Sequence, residues 1–214
     1  RDRLQEKFLL LLNDPEVAVG LLTKDRFEAL ARKRDLPVPR SRPWETLSAI
    51  EGAVVAKPHS RSFFYESPLY AELFEGKTKA LIFESGRAAA SQELVERFRD
   101  QLTFQEYVRG DDRQLWSFHG FSDELGKVLG FFVGRKLRTS PPLTGQSAFI
   151  ELIHDDALAT FGRRMAERIS LKGPFKIDFK TDAVTGKHFL LEVNARFNLW
   201  NHLGAANGVN LMQV

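Results

Sequence analysis

Cysteine does not occur among the 214 residues. Disulfides and thiolate metal sites are thereby excluded, and a reducing, cytoplasmic setting is the expectation. No apolar run approaches the ~20 residues of a membrane-spanning helix. FLLLL at 8–12 stops at once on Asn13 and Asp14, and nothing resembles a secretory signal. A strong excess of one charge sign is also missing. The 31 basic and 28 acidic residues leave a net charge of +3, small for a general nucleic-acid surface. No platform of interleaved basic and aromatic residues is evident either, so neither nucleic acid nor membrane is an expected partner. Positive charge does recur locally, in RGDDR and GRKLR, which fits a basic cleft. What is present is ordinary globular composition, 43% hydrophobic and 28% charged, enough for one large domain or two small lobes. The start at Arg1 and the close at GVNLMQV suggest a piece of a longer protein, with oligomeric state left open.

Hydrophobic spacing predicts the elements. Residues 3–12 read as a helix, broken by NDPE. KDRFEALARKRD places Phe27, Leu30 and Ala31 on one helical face, and the prolines of LPVP end it. AVVAKP, KALIFES and LTFQEYV read as strands, with SQELVERFRD as a helix between the last two. QLWSFHGF and KVLGFFVGRKL read as strands joined by SDELG, and PPLTGQSAF as a loop. His154 to Leu171 reads as an amphipathic helix with Asp155 and Asp156 in its first turn. A hairpin and a last helix in NHLGAANGVNL follow. The expectation is two α+β lobes with a boundary near Val108: a lobe over 21–107, a lobe over 108–214, and residues 1–20 as the tail of a preceding domain.

The hairpin FKIDFKTDAVTGKHFLLEVNAR, 175–196, carries the chemistry. Side chains on a strand alternate between faces. Phe175, Ile177 and Phe179 share one face, and Lys176, Asp178 and Lys180 the other. In the second strand Phe189, Leu191 and Val193 stand opposite Leu190, Glu192 and Asn194. Centring the hairpin on Thr185 places Asp178 across from Glu192. Facing carboxylates repel, and a divalent cation between them removes the repulsion. Asn194 adds a neutral oxygen on the same side. Such hard oxygen donors suit Mg2+ completed by substrate phosphates. The competing reading is a solvated face whose acids pair with Lys176 and Lys180.

LLEVNAR after IDF…TG resembles the metal-binding signature of the ATP-grasp superfamily, with Asp178, Glu192 and Asn194 as the implied metal ligands. Other stretches follow in that family's order. TKDRFEALARKRDLPVP resembles its opening helix, whose first lysine, Lys24 here, reaches the nucleotide. VVAKP resembles the strand whose lysine, Lys57, contacts phosphate and adenine. FQEYVRGDD resembles the hinge, with Gln105, Glu106 and the Val108 backbone at the adenine and Asp112, or Asp111, at the ribose. GVN after the signature is also typical, and the likeness spans residues 24–211. It implies an α+β fold of two lobes, with ATP held between two antiparallel sheets. Lys136 is expected at the nucleotide, and Arg135 and Arg138 at a phosphate or substrate carboxylate, where bidentate capture suits arginine. Arg196, two residues past Asn194, is expected at the transferred phosphate. His202 is expected to face the substrate and His188 to lie on the surface. Trp116, Phe118 and Trp200 read as core. One stretch departs from the family: PHSRSFFYESPLY lacks the usual glycines, so His59, Ser60, Arg61 and Ser62 would serve phosphate under an aromatic lid.

The resemblance implies an ATP- and Mg2+-dependent ligase, with Mn2+ as an alternative metal, that activates a carboxylate as an acyl phosphate and joins it to an amine. Its partners would be ATP and small carboxylate and amine substrates, amino acids among them. A kinase, a carboxylase-type enzyme or a nucleotide-binding module without turnover are the other readings, because fold does not fix chemistry.

Overall fold

The computed structural model describes residues 7, 11–60 and 64–214. The helix expected over 3–12 lies largely outside these residues, as do Arg61 and Ser62, while Leu11 and Leu12 carry no regular structure.

Two antiparallel sheets organise the chain. The first holds β1 (Ser41–Arg42), β2 (Val54–Pro58), β3 (Leu81–Phe83) and β4 (Leu102–Glu106) in the order β1-β4-β2-β3. The helices α4 (Gly86–Ala90) and α5 (Glu93–Arg97) carry the chain from β3 to β4. Because β2 lies between those two strands and runs against both, the strand–helix–strand order produces no parallel pair. Alternation sorts the faces. Val54, Ala56, Leu102 and Phe104 are buried with Phe64, Phe74 and Leu47 of α3 (Trp44–Leu47), while Val55, Lys57 and Gln105 turn to the other side.

The second sheet holds β5 (Leu115–Ser122), β6 (Val128–Ser140), β7 (Gln146–Ile153), β8 (Gly173–Thr181) and β9 (His188–Asn194), ordered β7-β6-β5-β8-β9. Helix α6 (Asp156–Ile169) covers one face, setting Leu158, Met165, Ala166 and Ile169 against Trp116, Phe118, Phe175, Ile177 and Phe179. Each Leu, Met, Ile or Phe side chain among them, fully buried, stabilises the fold by roughly 1.5–3 kcal/mol before entropy is charged against it. The Asp155 carboxylate caps the helix by accepting from Leu158 N at 3.0 Å. A Cβ at Gly162 would meet Phe118 at 2.4 Å, so glycine sets how closely α6 approaches β5. The same core takes Val17 from α1 (Pro15–Gly20) and Leu30 and Ala31 from α2 (Lys24–Lys33). The final helix, α7 (Trp200–Ala206), packs across the opposite face through Trp200, beside Phe132 and Leu211.

The loop expected over 141–149 is shorter than the sequence suggests, since Gln146–Ile153 pairs with β6 along the sheet edge. An edge strand is little buried, and Phe149 is 58% exposed. The apolar–polar contrast that marks inner strands is therefore weak there. Helix SQELVERFRD is also shorter, an α-helical turn over Glu93–Arg97 followed by a 3-10 turn at Arg99–Gln101.

Candidate functional site

The uncovered faces of the two sheets look onto a cleft of about 990 Å3. The first sheet contributes Val55, Lys57 and Gln105 from its alternate positions. Lys57 Nζ donates to Gln105 Oε1 at 3.2 Å, and Gln105 Nε2 donates to Ser41 Oγ at 3.3 Å. Glu106 lines the cleft but its carboxylate takes Arg42 of β1, whose Nε donates at 2.8 Å. Lys24 lines the cleft from the start of α2, and its backbone N–H is held by His59 O at 3.3 Å. Val108 closes the hinge end.

The second sheet supplies three rows of side chains, fixed by strand register. Nearest the hinge, Leu115 faces Lys180. The middle row runs Gly134, Ser117, Asp178, Glu192. The far row runs Phe132, His119, Lys176, Asn194. Asp178 and Glu192 are a cross-strand pair, as parity requires, and Asp178, Glu192 and Asn194 all line the cleft. The parity rule breaks one residue further on. A bulge leaves Leu191 without a partner, Phe179 pairs with Leu190, and Leu190 is fully buried in the core. Leu191 and Glu192 consequently both reach the cleft.

Asp178 is 6% exposed and lies between two ammonium groups. Lys136 Nζ is 3.2 Å from Oδ1 and Lys176 Nζ is 2.9 Å from Oδ2. Ser117 Oγ donates to Oδ1 at 2.5 Å. Burial pushes this carboxyl up, but Lys136, Lys176 and Ser117 more than reverse it and hold it well below the usual carboxylate range. The solvated-face reading is thus right about Lys176 as a partner and wrong about solvation. Lys180 goes elsewhere: its Nζ donates to Tyr107 Oη at 2.9 Å and to Gly110 O at 2.8 Å. Burial pushes its pKa down to about 8, against the opposing pull of Asp112 and Asp111.

Several expected site residues do not line the cleft, Asp112, Asp111, Arg135, Arg138 and His202 among them. Asp112 is buried and its carboxylate accepts from Thr139 N (2.5 Å), Thr139 Oγ1 (2.9 Å) and Leu143 N (2.9 Å). It braces the 139–143 segment, and Asp111 caps the short 3-10 turn that follows. Arg135 neighbours Lys136 on the strand and so takes the other face, 3.7 Å from Glu151. Arg138 would share the face of Lys136 but for a bulge at Leu137 that turns it out to solvent. Arg196 does line the cleft, at its rim, with Nη2 donating to Asn194 Oδ1 at 3.4 Å. His202 is exposed on α7 and does not line the cleft. His188 is half-buried rather than on the surface, edge-on to Trp116 and Phe161, with burial pushing its pKa down. Trp116 and Phe118 are core, whereas Trp200 is both buried and part of the cleft wall.

Sequence reasoning assigned no role to Ser117 or His119 and left Lys176 and Lys180 as mere partners of the acids. Strand parity alone would have found the two lysines, which share the face of Asp178. Finding Ser117 and His119 needs the β5–β8 pairing. His119 is fully buried between the rings of Phe132 and Trp200, 4.5 and 5.1 Å away. Burial, with Lys176 and Lys136 nearby, pushes its pKa down to about 3, so the ring is neutral. Trp200 can lie flat there because position 134 is glycine, where a Cβ would stand 2.5 Å from the indole. Lys176 Nζ sits 5.4 Å from the Trp200 ring centre.

Among the described residues no three acidic or histidine side chains gather as a metal site by themselves. The set needs the amide oxygen of Asn194 as its third donor. Two carboxylates and an amide oxygen fit the donor chemistry of Mg2+. A cation there would compete with Lys136 and Lys176 for Asp178.

An open cleft lies between two antiparallel sheets, with lysines and the connecting segment on one side and acids and lysines on the other. The chain has the ATP-grasp fold. No protein-family model matches it, and no curated protein does. Solved structures do. It resembles pyruvate carboxylase from Rhizobium etli with a TM-score of 0.64 at 16% identity, over 92% of this chain and 18% of that one. It resembles the ATP-grasp ligase PsnB, complexed with a precursor peptide and AMPPNP, with a TM-score of 0.62 at 22% identity, over 96% of this chain and 60% of that one. Biotin carboxylase from Campylobacter jejuni gives 0.65 at 12% identity, over 92% of this chain and 46% of that one. The chain therefore spans less than two thirds of each of these proteins.

Proposed function

We propose that this chain binds ATP with Mg2+, or Mn2+, in the cleft and uses it to ligate a carboxylate to an amine. The observation that carries the reading is the middle row, where Asp178, held between Lys136 and Lys176, pairs across the hairpin with Glu192. The adenine would lie at the hinge, against Val55, Leu115 and Leu191 and the backbone of Glu106 to Val108. Lys24, Lys57 and Lys136 would neutralise phosphates as point charges. Asp178, Glu192 and Asn194 would hold the metal, which when bound draws off charge from the phosphate oxygens.

A carboxylate oxygen of the substrate attacks the γ-phosphorus, the bond to the β-phosphate oxygen breaks, and ADP leaves. The amine then attacks the acyl carbon, phosphate departs and the amine loses a proton. Lys176 and Arg196, at the end of the cleft away from the hinge, would hold the transferred phosphate and the incoming carboxylate. The chain's contribution is positioning and electrostatics, with no protein nucleophile. The acceptor would be a small carboxylate, amino acids and peptides included, in a cytoplasmic setting. Among the described residues no helix is long and apolar enough to cross a membrane. The likeness to two carboxylases favours a second reading in which bicarbonate takes the place of the acceptor carboxylate.

ADP release is measured against a panel of amino acids, peptides and bicarbonate, with hydroxylamine present to trap an acyl phosphate as hydroxamate. Hydroxamate formation is expected. ADP release that depends on bicarbonate alone would favour carboxylation, and ATP binding without ADP release under any substrate pair would end the ligase reading. Asp178→Asn and Glu192→Gln are expected to abolish Mg2+-dependent turnover while the circular dichroism spectrum stays native. Full activity in Glu192→Gln would remove Glu192 from the metal site.

A further inference from the structure

Lys180 is a charged side chain in an awkward place. It is 4% exposed, on the wall of a cleft that Val55, Val108, Leu115 and Leu191 also line, with Leu115 its cross-strand partner. A buried ammonium is costly unless its three N–H groups are satisfied. Two are: Tyr107 Oη and Gly110 O accept them at 2.9 and 2.8 Å, and the Tyr107 ring lies under the nitrogen at 4.1 Å. Both acceptors belong to the segment just past β4. Tyr107 Oη is itself fixed, since it donates to Gly110 O at 2.6 Å. No salt bridge and no third acceptor for the ammonium is found among the described residues, although Asp111, Asp112 and Asp182 lie near enough to act on it through space. Asp112, the residue expected at the ribose, accepts from Thr139 and Leu143 and does not line the cleft. The nucleoside end of the cleft is thus left with a cation where an acid was expected.

We propose that Lys180 reads the nucleoside, donating its third N–H to a lone-pair acceptor near the junction of base and ribose. This rests on the reading of the cleft as a nucleotide site. The chemistry is that of a fixed donor. An ammonium carries no lone pair, so it accepts nothing from an exocyclic amino group or a hydroxyl proton. Near that junction it selects acceptors: N3 or N7 of the purine ring, or O2′ of the ribose. Two hinge contacts hold the nitrogen in place before the ligand arrives, so little side-chain entropy is lost on binding. A ligand acceptor there also completes the hydrogen bonding of a buried charge, which makes the contact stronger than one between neutral groups.

Binding is measured by titration calorimetry, without turnover, for ATP, 3-deaza-ATP, 7-deaza-ATP and 2′-deoxy-ATP. The native protein is expected to bind one of the analogues about tenfold more weakly than ATP. The Lys180→Met protein is expected to lose about the same factor for ATP and to be indifferent to that analogue. A deaza analogue would place the acceptor on the base, and the deoxy analogue on the ribose. Equal binding of all four ligands by the native protein would overturn the proposal, and this result needs no variant. So would a Lys180→Met protein that weakens all four by one factor, because that is what a merely structural lysine does. Failure of the native protein to bind ATP at all is a separate result, and it removes the nucleotide reading itself.

Discussion

Asp178 concentrates the energetics of the cleft in one carboxylate. It is buried, and it stays charged only because Lys136, Lys176 and Ser117 surround it. Removing one member of a buried charge cluster leaves the rest unpaired. Lys136→Met is expected to cost about 1–3 kcal/mol in urea unfolding and, on the proposed reading in which the same ammonium would meet phosphate, to lower ADP release by about 100-fold. His119 makes the opposite case, a titratable ring held neutral. Its pKa in the folded protein is about 3, against about 6.5 in an unfolded chain. Between these values the unfolded chain binds a proton that the folded one refuses. Stability from this residue is therefore full above pH ~6.5 and falls as pH drops toward 3, by at most ~1.4 kcal/mol per unit. His119→Phe keeps the ring stack and removes the titration. It should flatten the difference in urea midpoint between pH 7 and pH 5, and an unchanged difference would place the acid sensitivity elsewhere.

The β8–β9 hairpin shows what an element adds to its residues. Its turn is held by Asp182, whose Oδ1 accepts from Thr185 N at 2.8 Å and Val184 N at 3.1 Å. Arg109 reaches the same carboxylate from the hinge at 2.8 and 2.9 Å. The Arg109 guanidinium holds the Asp182 carboxyl far below its usual range. Stability from this group is present above the unfolded carboxylate pKa of about 3.9 and is lost only as pH falls well below it. Asp182→Asn should cost about 1–3 kcal/mol at pH 7, and the two proteins should converge in strongly acid solution, as followed by circular dichroism.

This hairpin also shows how far the sequence could be read. Alternation placed Asp178, Glu192 and Asn194 on one side and put Asp178 across from Glu192, because both follow from counting residues along an even ladder. The count failed at Leu191, since a bulge shifts every residue on its turn side by one and no residue type announces it. The same event at Leu137 removed Arg138 from the cleft. Asp112 failed for another reason. An acid after a hinge has the same sequence appearance whether it faces a ligand or braces a neighbouring loop, and Thr139 lies 27 residues away along the chain.

At the scale of the whole molecule two side-chain contacts join the sheets beyond the chain that links them. Arg109 of the hinge holds Asp182 of the second sheet. Thr78 Oγ1, after the aromatic segment of the first sheet, meets Thr144 Oγ1 of the 141–145 loop at 2.7 Å. Thr144→Val should weaken that clasp without touching the rows of the second sheet. It is expected to leave stability within about 0.5 kcal/mol while speeding ADP dissociation in stopped-flow fluorescence. An unchanged dissociation rate would mean that the contact does not govern opening.

The three rows of the second sheet are two residues apart, so each step along the strands is about 6.7 Å. The sheet is therefore graduated like a ruler, with Lys180 at one mark, Asp178 and Glu192 at the next and Lys176 and Asn194 at the third. On the proposed reading a nucleoside monophosphate would cover the first mark and fall short of the acids, so titration calorimetry should find its binding weak and indifferent to Mg2+. A triphosphate would reach the second and bring its terminal group toward the third. Selection by length would then follow from the pleat spacing that sets these side chains apart.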